Sequence, residues 1–263
     1  MSEVRTSLPV VRGFAETSRR DLWWVQPLLV FLVLSSFVVY ATWAAFQGNH
    51  YYLEEGGRHY LSPFYSPEVI GKSPHAWFDQ PSWMPAVLTP ALLILWAPGG
   101  FRFTCYYYRG AYYKAFWADP PNCAVGEPRK SYWGERYLPL ILQNAHRYFL
   151  YLAVLFLFFL GWDAVKAYRF SDSVGVGVGS LVLTLNVVLL GGYTLSCHSF
   201  RHLVGGGSDQ LSKEPVRHRA YDCVSCLNRR HSLWAWLSLF WVAFSDLYVR
   251  LCSMGVWSDW RII

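Results

Sequence analysis

VGSLVLTLNVVLLGGYTLSCHSFRH, residues 178–202, opens as an apolar run and closes on a cysteine, two histidines and an arginine. Its first stretch, through Cys197, carries no charge over about 20 residues, the length a helix needs to cross the hydrocarbon core of a bilayer. The end of the run is of a different kind. Cys197, His198, Arg201 and His202 place soft metal donors and a cation where the apolar helix stops.

Outward from this stretch the rest of the chain repeats the pattern. Of 263 residues 54% are hydrophobic, 19% aromatic and 15% charged, against about 25% charged in ordinary globular chains. Trp and Tyr number 14 and 18, and these residues gather at the membrane–water boundary. Further apolar runs lie at about 22–46, 83–103 (through PAVLTPALLILWAPGG), 138–167 (through YFLYLAVLFLFFLGW) and 232–256, with the quoted one extending over 174–203. The expected fold is all-α: an integral membrane bundle of five transmembrane helices forming a single domain over 1–263. Pro85 and Pro90 are tolerated in the second span if neighbouring helices shelter the backbone.

Basic residues orient the bundle. Lys and Arg number 17 in the N-terminal tail, around 102–147 and in 201–230, against 6 on the other side. The positive-inside rule then makes the N-terminus cytoplasmic and the C-terminus external, with cytoplasmic segments at 104–137 and 204–231. The net charge of +6 is explained by this topology, without nucleic acid as a partner. The polar first twenty residues do not read as a cleavable signal peptide. The external loop at 47–82 shows no chemistry in its sequence.

The donors share one side. Cys105, Cys123, Cys197, Cys223 and Cys226 fall at or beyond the cytoplasmic ends of the spans, as do His146, His198, His202, His218 and His231. The reducing cytoplasm disfavours disulfides there. Thiolates and imidazoles together suit iron–sulfur clusters, copper or zinc, and imidazole alone suits haem. We rank Cys105, Cys123, Cys197, His146, His202 and His231 first as metal ligands, with His198 below them. His198 and His202 share a helical face, and Cys197 aligns with Arg201. CVSC at 223–226 is a weak signal without a second pair, and Cys252 reads as a small core hydrophobe. Two cysteines and two histidines make the Rieske-type [2Fe-2S] set, whose raised potential suits delivery to a quinone. One haem b, or a structural zinc, are the alternatives.

FTCYYYRGAYYKAFW (103–117), PPNCAV (120–125), QNAHRYF (143–149) and YTLSCHSFRH (193–202) together resemble the membrane anchor, or cytochrome b subunit, of actinobacterial succinate dehydrogenase. The resemblance covers about residues 20–257. It implies a multi-pass subunit of the plasma membrane, holding a flavoprotein and an iron–sulfur subunit and reducing menaquinone. Five-helix anchors in the wider family carry two b haems. No histidine here lies near the outer face inside a span, which favours the iron–sulfur centre of a mycobacterial branch. No residue of this chain would bind succinate, so none is assigned a catalytic role. Tyr108, Arg109, Trp117, Arg147 and Trp234, with His231, have the chemistry to contact a quinone ring. Asp163 and Asp246 are ionisable residues in spans, where such groups are costly and often functional. They are candidates for a proton route, although Arg250 stands four residues from Asp246 and an ion pair is the plainer reading. A small transporter is the reading from a different class. Few polar residues in the spans and no inverted repeat speak against it.

Overall fold

A computed structural model describes residues 13–54, 57–85, 87–129, 136–138, 140–171 and 173–263. Arg5, Arg12 and Lys130 of the basic segments lie outside them. The chain is mostly helical. Its long helices are α1 (Val25–Gln47), α5 (His146–Lys166, entered through a 3-10 turn at Leu140–Ala145), α6 (Val178–Leu195) and α9 (His231–Ser253). Among the described residues these four stretches are long and apolar enough to cross a membrane. They keep large apolar side chains on their outer faces, including Val39 at 69% exposure and Phe158 at 71%, as lipid-facing helices do.

The second expected span is not one helix. It is α2 (Pro90–Ile94), α3 (Trp96–Phe103) and α4 (Tyr106–Ala111), followed by a π-helical turn at Tyr112–Trp117. Pro90 occupies the first turn of α2, where its missing N–H is harmless. Pro98 explains the interruption at Leu95. It has no N–H for the Ile94 carbonyl, and its ring crowds that same group. The fourth expected span also stops early. Helix α6 ends at Leu195, Cys197 is extended (φ −62°, ψ 142°), and α7 (His198–Gly205) begins. Cys197 is therefore the N-cap of α7, and its carbonyl accepts the Arg201 amide at 3.0 Å. Helix α8 (Pro215–Asn228) follows.

The chain divides into two compact units, 1–36 with 104–143 and 37–103 with 144–263; α1 runs through the boundary. In the smaller unit the N-terminal segment ties to the loop after the π-turn. Arg19 donates to the Asn122 side chain and the Cys123 carbonyl, and Asn122 Nδ2 donates to the Trp23 carbonyl. Phe31 packs on Phe116 at 5.0 Å.

In the larger unit α6 is central, packed on α5 and α9, while α3 lies on α5 and α7 on α8. Gly100 lets α3 approach α5, since a Cβ there would sit 2.2 Å from the Phe149 ring. The loop at 47–82, in which the sequence showed no chemistry, is a folded polar cap. Strands β1 (Tyr52–Leu53) and β2 (Tyr60–Leu61) pair antiparallel, and β3 (Ile70–Gly71) and β4 (Phe78–Asp79) pair in parallel. Tyr51, Leu61, Phe64 and Tyr65 join Ala44, Ala45, Ala91 and Val242 in a buried cluster. Asp246 accepts hydrogen bonds from Ser62 of the loop, Tyr40 of α1 (2.7 Å) and Arg250 of its own helix (2.7 Å). Arg250 also donates to the carbonyls of Ala44 and Asn49, closing the end of α1. Asp259, near the C-terminal end, accepts from Arg58, Tyr60, Tyr248 and the Gly179 amide. Gly179 cannot carry a side chain, because a Cβ would lie 2.3 Å from the Tyr60 ring.

Candidate redox site

At the opposite end of α5 from this cap, the first residue of α5, the break after α6 and the first residue of α9 come together. His146 and Cys197 are buried at 5% and 2% exposure, and His146 Nε2 lies 3.0 Å from Cys197 Sγ. His231 opens α9 and is half-buried. Its Nδ1 is 2.7 Å from the Ser196 hydroxyl, beside Cys197 in the chain. Asn228 Nδ2 donates to the Ser196 carbonyl at 2.7 Å, so a carbonyl released by the helix break has a partner.

Aromatic rings line this group. Phe101 stacks on His146 at 4.7 Å and Tyr193 stacks on His231 at 5.2 Å; Phe101 and Tyr193 meet edge to face at 5.4 Å. Arg102 lies over the Tyr193 ring at 4.5 Å. Its guanidinium donates to the Ala235 carbonyl and the Ser238 hydroxyl, both at 3.0 Å. Sequence reasoning missed Arg102, Phe101 and Tyr193. Arg102 had been counted only as a positive-inside charge, and nothing local marks an aromatic residue as a neighbour of a histidine.

The other expected ligands fall in different places. Cys105 is buried in the smaller unit and repeats the local design of Cys197. It is extended (φ −63°, ψ 129°), caps α4, and its carbonyl accepts the amide of the arginine four residues on, as Cys197 does. None of the six cysteines is in a disulfide. Cys123 is exposed. His198 and His202 pair with each other on α7, Nε2 to Nε2 at 3.1 Å, both exposed. They line a recess of about 390 Å3 with Arg201 and Tyr221. Burial first, then His202 and Arg201, lower the pKa of His198 below its ordinary value. His218 sits 3.6 Å from Asp222 on α8, where Cys223 and Cys226 are exposed. Among the described residues no three His, Cys, Asp or Glu side chains converge as a ready metal site.

The expected quinone contacts are also dispersed. Tyr108 is buried against Tyr112, Arg109 lies over the rings of Tyr106 and Tyr113, and Trp117 ends the π-turn, all in the smaller unit. In the larger unit Arg147 is exposed. Trp234 packs on Gly192, and its Nε1 is buried without a partner among the described residues. Of the two carboxylates, Asp246 is fully buried in the network described above. Asp163 accepts from Ser66 at 2.6 Å, with Lys166 Nζ and His75 Nδ1 at 3.7 and 3.9 Å. It lines a cavity of about 390 Å3 walled by Trp77, Phe158, Phe159 and Trp162.

The family model described as actinobacterial succinate dehydrogenase subunit SdhC matches residues 25–255. The chain belongs to that family. A chain of the Mycobacterium smegmatis Sdh1 complex in the apo form is 44% identical, with a TM-score of 0.88 over 100% of this chain and 98% of that one. No curated protein matches. An SdhC subunit is the membrane anchor of succinate dehydrogenase, a multi-pass protein of the plasma membrane that works with a flavoprotein and an iron–sulfur subunit and with quinone. The resemblance found in the sequence motifs is therefore correct.

Proposed function

We propose that this SdhC subunit delivers electrons from the iron–sulfur partner to menaquinone, and that the buried group at the start of α5 and α9 holds a Rieske-type [2Fe-2S] cluster. The observation that carries the reading is the 3.0 Å approach of the buried His146 imidazole to the buried Cys197 sulfur. The donors fit the cofactor in kind. His146 and His231 supply two imidazoles, and Cys197 supplies one of the two thiolates that the set needs. Exposed Cys123, His198 and His202 are weaker choices. Such a cluster, when bound, supplies one-electron transfer at a potential raised by histidine ligation.

The residues around it have separable tasks. Cys197 stands at a helix N-terminus, a position that favours the thiolate form. Ser196 fixes the orientation of the His231 ring through Nδ1, the kind of outer hydrogen bond that tunes a ligand. Arg102 sets a positive charge beside the aromatic rings, where a quinone gaining electrons would be stabilised. This end faces the cytoplasm and the partner subunits, in keeping with the basic residues. For protons we assign Asp163, which borders a cavity beside His75 and Lys166. Asp246, held by three donors, joins α1, α9 and the loop.

The test uses two acceptors with the purified complex. His146→Ala should abolish succinate-driven menaquinone reduction while electrons still reach phenazine methosulfate, a soluble acceptor for the partner subunits. Undiminished menaquinone reduction in that variant would refute the assignment.

A further inference from the structure

We propose that an apolar cavity in the larger unit holds the isoprenoid tail of the quinone, with Gly99 as its lateral opening and Arg102 marking the end where the ring lies. This inference rests on the quinone-reducing function proposed above. The cavity is about 170 Å3 and is bounded by α1, α3, α5, α6 and α9 together with Phe64 of the loop. Along α5 it runs from Ala153 to Leu160, about 10 Å at the helical rise. A space lined this way stays dry, so hydrocarbon is its natural filling.

Two features select a prenylated quinone over another hydrocarbon. First, the cavity continues into the candidate redox site. Phe101 and Tyr193 line it, and the same two rings stack on His146 and His231. Second, its lining holds a single charged residue among those described, Arg102, fixed by Ala235 and Ser238. A phospholipid acyl chain ends in a methyl group and has nothing to offer a half-buried guanidinium. A prenylated quinone joins an apolar tail to a ring whose oxygens become negative on reduction. Gly99 gives access from the bilayer. It lines the cavity, is exposed, and a Cβ there would meet nothing within 4 Å.

That open space supplies the test. Gly99→Leu adds a side chain at the opening, where its Cβ meets no atom within 4 Å, and leucine is a better helix former than glycine. The readout is the ratio of KM for menaquinone with two isoprene units to KM for the tail-less naphthoquinone menadione, in the purified complex. Gly99→Leu should raise that ratio about tenfold, the cost of leaving roughly two methylene groups unburied. Leu157→Phe, which narrows the cavity from α5, should move the ratio the same way if the first variant does not assemble. An unchanged ratio in an assembled variant overturns the tail assignment, as does a phospholipid acyl chain found in the cavity of the active complex. A wild-type complex that reduces phenazine methosulfate but neither quinone refutes the functional reading itself, and the tail assignment falls with it.

Discussion

Cys197 closes the connection after α6, caps α7, and presents its sulfur to His146. Its chemistry was legible in the sequence because cysteine and histidine are rare among apolar helices, and their shared depth followed from counting basic residues. Which donors meet was not legible. His202 was ranked with the buried ligands, yet it pairs with His198 on the exposed face of α7, because a break at Cys197 redirects everything after it. Asp246 shows the same limit. The i, i+4 spacing to Arg250 announced the ion pair, but not Tyr40 or Ser62, which come from distant parts of the chain. Asp246→Ala would leave the Arg250 guanidinium buried without its carboxylate. Loss of one partner of such a pair costs about 3–5 kcal/mol, so thermal unfolding in detergent should show a strongly destabilised protein. An unchanged transition would mean that the pair contributes no net stability.

At the scale of elements, the apolar runs located the helices and proline explained one interruption, but two breaks had no local sign. Neither Cys105 nor Cys197 has a proline or glycine beside it, and the fourth run was extended through Cys197. Tertiary partners stabilise the second break: Asn228 takes the Ser196 carbonyl, and Arg217 donates to the carbonyls of Val204 and Gly206 at the end of α7. Asn228→Leu would strand the Ser196 carbonyl in a partly buried setting. We expect a loss of about 1–3 kcal/mol together with a shifted magnetic resonance spectrum of the proposed cluster, since the same break carries Cys197. Destabilisation with an unaltered spectrum would separate the break from the metal site. The outer loop was the largest omission of the sequence reading. Its serines and tyrosines look like ordinary interface residues until the structure shows which carboxylates they reach.

For the whole molecule, the two ends of the larger unit have different work. His146 and Asp163 stand at opposite ends of α5, about 25 Å apart at the helical rise. One end gathers donors and aromatic rings, and the other closes the bundle with buried carboxylates. Perturbations more than about 10 Å apart with no shared partners add nearly independently. Asp259→Ala, which removes the acceptor for Arg58, Tyr60, Tyr248 and the Gly179 amide, should lower thermal stability and leave the cluster signal in place. His146→Ala should remove the signal, and the double variant should show the sum of the two stability changes. A large departure from additivity would show that the cap and the redox end act as one unit.

The central claim is that Cys197 and His146 hold an iron–sulfur cluster in this SdhC subunit. Low-temperature electron paramagnetic resonance of the ascorbate-reduced complex, comparing wild type with Cys197→Ser, tests it most directly. The account predicts a rhombic Rieske-type signal in the wild type that is lost in the variant, while the signals of the partner iron–sulfur subunit persist. A wild-type complex with no such signal, or a signal that survives Cys197→Ser unchanged, would contradict it.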